Sequence, residues 1–162
     1  MKVGTDGVLL GAWCSLENYP KKILDIGTGT GIISLMLAQR SSAITIDGVE
    51  IDTSAYMQTV DNFENSDWSD RLYCYNASFQ KFADDTHNEK ETYDLIVSNP
   101  PFYTDDYITK NSSRNKARFT TSLTFKQLIA GVSKILSKSG FFSTIIPSVS
   151  YTHLTLPTTK QV

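Results

Sequence analysis

The glycine-rich run "LDIGTGTGI", residues 24–32, constrains the fold more than any other part of this sequence. It overlaps an apolar stretch, Lys22–Gly27, that favours a buried strand, and it leads into the helix-like pattern Ile32–Arg40. Glycine at positions 27, 29 and 31 lets the backbone turn sharply and lets a ligand approach without a Cβ in its way. The run therefore predicts a strand, a tight loop and a helix whose free N–H groups face an anion.

Strand-like and helix-like segments continue to alternate along the chain. This alternation predicts one α/β domain, with a mostly parallel sheet and helices on both faces. The predicted strands are Lys22–Gly27, Ala43–Ile51, Arg71–Ala77, Tyr93–Asn99 and residues 141–147.

Capping residues mark the predicted helices. A short first helix is expected to begin with Asp6 as its N-cap, and Asp52 is expected to cap the helix Thr53–Asn65. The last helix is predicted over residues 124–140, with Thr124 as its cap and Gly140 as its stop. The polar segment Ala83–Thr92 is predicted to be a surface loop that exposes His87.

The two ends of the chain are expected to be incomplete. A sheet of this kind needs more chain after a fifth strand, so we expect the domain, residues 1–149, to stop before its last two strands. Residues 150–162 belong to a Thr-rich stretch without periodicity that resembles translated cloning sequence, and we expect them to be a non-native tail.

Charge is distributed unevenly along the chain. Residues 1–106 contain all 17 acidic residues and 7 basic ones, whereas residues 107–162 contain 8 basic residues and no acid. The densest basic run, residues 110–119, includes Arg114, Lys116 and Arg118, and we expect these three to contact the phosphates of a nucleic acid.

Composition bounds the setting in which the protein works. No apolar run approaches the roughly 18 residues that a membrane helix needs. Cys14 and Cys74 lie far apart without metal-ligand spacing. We therefore expect a cytoplasmic protein without a structural metal or a membrane partner. We also expect a monomer, an expectation that does not rest on composition.

Polar residues at successive strand ends indicate the ligand. A dinucleotide fingerprint would need a third glycine where Ile32 stands, and Asp25 would repel a pyrophosphate but suits an ammonium group. S-adenosyl-L-methionine carries an ammonium, a carboxylate, a ribose and a sulfonium. Glu50 is placed to accept the ribose hydroxyls, and Asn76 and Ala77 are placed to touch the adenine.

The corner "NPPFY" after the fourth predicted strand suits the second substrate. An exocyclic amine on a purine is a poor nucleophile, because its lone pair is delocalised into the ring. The side-chain carbonyl of Asn99 and the backbone carbonyl of Pro100 can accept both amine hydrogens. Pro101 stiffens the corner, and Phe102, extended by Tyr103, can stack on the base. Catalysis would then depend on how the amine is oriented toward the methyl group.

Together, "DIGTGTG", "GVEID" and "NPPF" resemble the class I S-adenosylmethionine-dependent amino-methyltransferases, which have a Rossmann-like fold. The opening "MKVGTDGVLLGAW" is more specific, since it resembles the bacterial tRNA1(Val) adenine-N6-methyltransferase family, which modifies adenine 37 beside the anticodon. The resemblance implies that Lys2, Gly4, Thr5 and Asp6 help to close the cofactor pocket and that Arg114 and Arg118 contact RNA.

These arguments give three sets of expected site residues. The catalytic set is Asn99, Pro100 and Phe102. The cofactor set is Thr5, Asp6, Asp25, Gly27, Thr28, Gly29, Gly31, Glu50, Ile51, Asn76, Ala77 and Asn99. The substrate set is Pro101, Tyr103, Arg114, Lys116 and Arg118.

The sequence leaves other functions open. The same corner resembles those of rRNA guanine-N2, DNA adenine-N6 and release-factor glutamine methyltransferases, which pose the same orientation problem. A non-catalytic module that binds cofactor or RNA is a second alternative. A nucleotide-dependent oxidoreductase is a third, although Ile32 argues against it.

Overall fold

Five parallel strands with helices on both faces form the core of the computed structural model, which describes residues 4–100 and 123–145. The strands follow the order β3-β2-β1-β4-β5, and every pairing between them is parallel. The predicted α/β class and mostly parallel sheet are confirmed. In chain order the elements are α1 (Thr5–Trp13), β1 (Lys22–Ile26), α2 (Ile32–Arg40), β2 (Thr45–Glu50), α3 (Thr53–Glu64), β3 (Leu72–Asn76), α4 (Phe79–Asn88), β4 (Tyr93–Ser98), α5 (Phe125–Ile135) and β5 (Leu136–Thr144).

The central strands are buried on both faces because alternate side chains point to opposite sides of the sheet. On one side, Ile23 and Leu95 are fully buried against α1 and α2, with Leu37 between them. On the other side, Leu24 and Ile96 are fully buried in a second cluster that includes residues of α4 and α5. This two-sided burial explains why β1 and β4 are nearly continuous apolar runs.

Two predicted helix ends are wrong. Asp6 lies in the first turn of α1, and Gly4 is the N-cap. Gly140 does not stop α5, which ends at Ile135 and passes directly into β5. Gly140 lies within that strand, where a Cβ would meet the Tyr93 carbonyl oxygen at 3.0 Å, and the pairing of β4 with β5 shifts register nearby. Glycine here permits the close approach of two backbones at an irregularity in the sheet.

The polar segment predicted to be a loop is mostly helical, so that prediction is also wrong. The Ser78 side chain caps α4 by accepting from the Lys81 N–H, and the helix buries Phe79, Ala83 and Thr86 along one narrow stripe. The stripe has helical spacing, but most of the side chains around it are polar or charged. His87 is exposed, as predicted.

Within residues 4–100 and 123–145, no helix is long and apolar enough to cross a membrane. The same residues contain no group of three or more histidine, cysteine or acidic side chains that could hold a metal ion. Cys14 and Cys74 are both free thiols.

The predicted cap of the last helix is confirmed and gives a direct test. The Thr124 hydroxyl accepts from the Gln127 N–H at 3.2 Å, and the Gln127 side chain accepts from the Thr124 N–H at 3.0 Å. Thr124→Ala should lower the free energy of unfolding by about 1 kcal/mol. The Gln127 N–H loses its acceptor, and the reciprocal bond from the Thr124 N–H to the Gln127 side chain loses its support. Urea denaturation measures the change. Thr124→Ser keeps the hydroxyl and is the control, and an equal loss in both variants would contradict the capping argument.

Candidate functional site

The glycine loop between β1 and α2 has an unusual backbone. Gly27, Gly29 and Gly31 have φ angles of +69°, +62° and +79°, values that side-chain-bearing residues rarely adopt. The N–H groups of Gly27 and Thr28 both donate to the Val49 carbonyl, at 2.9 and 3.2 Å. The prediction that glycine permits the sharp turn is confirmed, and the loop is fastened to the end of β2.

Asp25 braces this loop from a fully buried position at 0 % exposure. Its Oδ2 accepts from the hydroxyls of Thr28 and Ser34, at 2.7 and 2.8 Å. Its Oδ1 is buried without a hydrogen-bond partner among the described residues. Burial raises the pKa of Asp25 to about 6, against the opposing effect of the two hydroxyls. The contact of Asp25 with a ligand ammonium stays a prediction.

Glu50 ends β2 with its carboxylate turned to the loop. Its Oε2 accepts from the Gly29 N–H and its Oε1 from the Asp52 N–H, both at 2.9 Å. Asp52 in turn caps α3 by accepting from the Ala55 N–H at 2.8 Å, which confirms its predicted role. A carboxylate therefore lies beside the loop, and its contact with ribose hydroxyls stays a prediction.

Residues of α3 that sequence reasoning missed hold the loop from the other side. The Thr59 hydroxyl donates to the Gly29 carbonyl at 2.6 Å, and the Asn62 amide donates to the Thr30 carbonyl at 2.8 Å. The available signal was the helical spacing of Thr59, which is fully buried, with the buried Phe63 one turn later. A polar side chain within a buried helical stripe indicates a partner outside the helix.

A glycine in the middle of β2 makes room for the loop. A Cβ on Gly48 would lie 2.9 Å from Cγ2 of Thr28. Thr28 cannot easily turn away, because its hydroxyl is bonded to Asp25. Gly48 is therefore required by the packing of the loop, and the strand itself does not need it.

The end of β3 is joined to the end of β2. The Asn76 amide donates to the Glu50 carbonyl at 2.9 Å and its Oδ1 accepts from the Thr53 hydroxyl at 3.2 Å. The Ala77 N–H also donates to the Glu50 carbonyl, at 3.1 Å. Ile51, 51 % exposed, lies between these groups and α3. The structure places all of them at the predicted strand ends, and their contact with adenine stays a prediction.

The start of the NPPF corner lies beside the glycine loop. Ser98 is in register with Ile26 across the pairing of β1 with β4, and its hydroxyl donates to the Ile26 carbonyl at 3.0 Å. Gly27 and Asn99 therefore leave neighbouring strands side by side. Adjacent strands lie about 4.8 Å apart. The loop and the corner therefore lie together at one edge of the sheet, the rim. Asn99 and Pro100 are both partly buried.

Helix α1 packs against the same rim. A Cβ on Gly7 would lie 3.6 Å from the Asn99 amide nitrogen and 3.9 Å from Cγ2 of Ile32. Thr5 and Asp6 are exposed in the turn that precedes Gly7. The predicted N-terminal segment is therefore adjacent to the predicted cofactor loop, while its closing role stays a prediction.

Arg40 at the end of α2 holds the far end of α1. Its guanidinium donates to the Gly11 carbonyl at 2.6 Å and to the Cys14 carbonyl at 3.1 Å. Sequence reasoning missed this contact. Because a guanidinium satisfies two otherwise unpaired carbonyls at a helix end, it fixes the position of α1 over the sheet.

Several predicted site residues lie outside the described part of the chain. They are Lys2, Pro101, Phe102, Tyr103, Arg114, Lys116 and Arg118. The predicted tail, residues 150–162, also lies outside it. The roles of these residues therefore stay predictions.

Comparison with known families decides what kind of domain this is. The family model described as "Methyltransferase small domain" matches residues 12–146, from the end of α1 to beyond β5. The chain belongs to this family. The predicted membership of a methyltransferase family is confirmed.

Named relatives within the methyltransferases are similar over most of the chain. The tRNA1(Val) (adenine(37)-N6)-methyltransferase of Christiangramia forsetii is 58 % identical over 147 residues, which cover 91 % of this chain and 61 % of that protein. Its counterpart from Yersinia enterocolitica is 43 % identical over 148 residues, covering 91 % of this chain and 57 % of that protein. The chain therefore spans about three fifths of the length of these relatives.

Solved structures of methyltransferases have the same fold. A SAM-dependent methyltransferase from Agrobacterium tumefaciens has a TM-score of 0.66 at 18 % identity, covering 93 % of this chain and 49 % of that one. Protein arginine methyltransferase 10 of Arabidopsis thaliana has a TM-score of 0.59 at 18 % identity, covering 85 % of this chain and 34 % of that one. The predicted Rossmann-like methyltransferase fold is confirmed.

Two glycine variants separate backbone strain from packing in the loop. Gly27→Ala places a Cβ in open space, so only the left-handed backbone costs stability, by about 1–2 kcal/mol. Gly31→Ala has the same backbone cost, and its Cβ would lie 2.6 Å from Cε1 of the buried Phe63, adding roughly 1–3 kcal/mol. Urea denaturation of both variants measures the difference. Equal losses would contradict the packing contact.

The buried carboxylate of Asp25 should make stability depend on pH. Its folded-state pKa of about 6 exceeds the ordinary 3.8, so the folded chain binds more protons between these values. Its contribution to stability is present below about pH 4 and is lost as the pH rises through 6, roughly 3 kcal/mol in all. Asp25→Asn cannot ionise. The difference in unfolding free energy between the native chain and this variant should therefore fall between pH 4 and pH 7.5 in urea titrations. A pH-independent difference would contradict the assignment.

Proposed function

We propose that this chain forms the cofactor-binding and target-binding core of an enzyme that methylates N6 of adenine 37 in a tRNA, with S-adenosyl-L-methionine as methyl donor. The observation that carries the proposal is the side-by-side exit of Gly27 and Asn99 from β1 and β4. The loop proposed to hold the methyl donor and the corner proposed to hold the target amine therefore lie at the same rim. The names and the 43–58 % identity of the relatives support the tRNA target.

The rim fits this cofactor in three respects. Gly27 has no atom within 4 Å of a Cβ position, which leaves space for a ligand against the loop. The N-cap of α2 is Gly31, which has no side chain to occupy the N–H groups at the start of the helix, where the carboxylate of a ligand would need donors. Glu50 presents a carboxylate at 8 % exposure beside Gly29, where ribose hydroxyls would need an acceptor.

Chemistry at the rim divides between the cofactor and the chain. When bound, S-adenosyl-L-methionine would supply an electrophilic methyl group on a positively charged sulfur. The Asn99 side-chain carbonyl and the Pro100 backbone carbonyl would accept the two N–H bonds of the target amine and so direct its lone pair toward the loop. Phe102 would stack on the base and hold it still. Gly27, Gly29 and Glu50 would hold the cofactor, which would give up its methyl group and leave as a neutral thioether, and the methylated nitrogen would release one proton to water.

Recognition of the tRNA would involve the basic run. We propose that Arg114, Lys116 and Arg118 contact phosphates close to the target base, and that Pro101 and Tyr103 shape its pocket. The adenine would have to leave its stack to enter the corner. A tRNA substrate is consistent with a cytoplasmic monomer.

The role of Asn99 is open to a sharp test. Asn99→Ala should abolish formation of N6-methyladenosine, while the affinity for S-adenosylhomocysteine changes little, because the amide acts on the target amine. Asn99→Asp retains acceptor oxygens and should keep more activity than the alanine variant. Mass spectrometry of tRNA nucleosides measures transfer and calorimetry measures cofactor affinity, in a form extended to the length of the relatives. Asn65→Ala, an exposed asparagine after α3, is the matched control.

Two outcomes would count against the proposal. If Asn99→Ala lost cofactor affinity as much as activity, Asn99 would be structural. If methyl groups from labelled cofactor entered rRNA, DNA or a release factor but not tRNA, the same corner would serve a different amine or amide.

A further inference from the structure

A cavity lies at the opposite end of the sheet from the glycine loop. It has a volume of about 470 Å³ and is bounded by the strands and by α4. The first residues of three strands line it, namely Lys22, Thr45 and Tyr93. Its size falls within the range of small-molecule sites. The proposed methyl transfer does not use it.

Aromatic rings form one wall of this cavity. Tyr75 and Phe82 have ring centroids 5.3 Å apart, and Phe82 and Tyr93 have centroids 6.4 Å apart. Tyr73 and Tyr75 are 48 % and 44 % exposed, which is unusual for neighbouring large rings on a strand. Aromatic faces carry partial negative charge and attract organic cations.

Carboxylates outnumber basic groups in the lining. Among the described residues that line it, Lys22 is the one basic side chain, and it forms an ion pair with Glu91. Asp85 pairs with Lys81 on the preceding turn of α4 at 3.3 Å. Among the described residues, Glu89 forms no ion pair. The lining carboxylates are those of Asp47, Asp85, Glu89 and Glu91.

Asp47 is the second, independent feature of the site. It lies in the middle of β2, is 7 % exposed and lines the cavity. Its Oδ2 accepts from the Tyr93 hydroxyl at 2.6 Å, while its Oδ1 has no hydrogen-bond partner among the described residues. Burial raises the pKa of Asp47, which the Tyr93 bond and the charge of Lys22 oppose. A buried carboxylate that is incompletely hydrogen-bonded is costly, and a cation bound in the cavity beside it would offset its charge.

We propose that this cavity binds an elongated organic cation of the polyamine class. The charges lie at two depths, since Asp47 is nearly buried whereas the side chains of Asp85 and Glu91 are 59 % and 52 % exposed. One ammonium would lie beside Asp47 and the Tyr93 ring, the methylene chain would lie along the other rings, and a second ammonium would meet Glu89. No described group has the ligand set of a metal ion, and the aromatic wall favours an alkylammonium over a hydrated metal.

Calorimetry on the chain tests this assignment without any assay of methyl transfer. The probes are spermidine and putrescine, with butane-1,4-diol as the uncharged counterpart of putrescine and Mg²⁺ as an inorganic cation. Nα-acetyl-arginine amide represents a cation carried by another protein. Spermidine should bind at one site more tightly than putrescine, and the diol should not bind. Tighter binding of the arginine amide than of either amine would support the cation site and assign its source to a protein side chain.

Paired glutamate variants give the decisive control. Glu89 and Glu64 are both exposed acids at helix ends, but only Glu89 lines the cavity. Glu89→Gln should weaken spermidine several-fold without loss of stability, since an acid at a helix C-terminus is unfavourable. Asp47→Asn should weaken it at least about tenfold. Glu64→Gln should leave it unchanged.

Three results would overturn the proposal. They are no binding of any organic cation at about 10 mM, equal weakening in Glu64→Gln and Glu89→Gln, or displacement of spermidine by equimolar Mg²⁺. Thermal unfolding of each variant without ligand separates lost binding from lost folding. Because Glu89→Gln is an exposed change, it keeps the test valid even if Asp47→Asn is unstable.

Discussion

The Ser98 hydroxyl donates to the Ile26 carbonyl at the end of the β1–β4 pairing, where the order of strands along the sheet reverses. That register decides which loops become neighbours, because parallel strands deliver their following residues to one edge. A shift by one residue would turn every buried side chain of β4 to the other face. Since Leu95, Ile96 and Val97 are all fully buried, such a shift is strongly disfavoured. The hydrophobic core thus sets the separation of the two reacting groups in the proposed transfer.

Buried carboxylates are stabilised in three different ways in this domain. Asp25 relies on two side-chain hydroxyls, Glu50 on two backbone N–H groups, and Asp47 on a single phenol. In the first arrangement both hydroxyls bind Oδ2 of Asp25, which holds the loop, while Oδ1 has no partner among the described residues. The second lies at the rim, where hydrogen bonds can exchange with those of a ligand. The third also leaves one carboxylate oxygen without a donor among the described residues, and it lies at the end of the sheet remote from the rim.

Local chemistry determined what the sequence could predict. The three loop glycines and the cap at Thr124 were predictable, because each depends on residues within a few positions. Helix α4 was missed because its buried stripe is narrow and most of its other residues are polar. The position of Gly140 within a strand was missed because it depends on the Tyr93 carbonyl of another strand. The contacts of Thr59 and Arg40 likewise join residues about thirty positions apart, which no single segment reveals.

The close approach of Gly48 to Thr28 has a consequence for inheritance. With the threonine methyl 2.9 Å from where a Cβ at 48 would stand, and the threonine Cβ and hydroxyl oxygen at 3.1 and 3.2 Å, position 48 is not free to change while a threonine stands at 28. A serine at 28 would keep the hydroxyl bond and remove the shortest of these three contacts, so an alanine at 48 would meet less obstruction after that exchange than before it. The order of two replacements along a lineage would therefore matter, because a change at position 48 is less costly once position 28 has lost its methyl group.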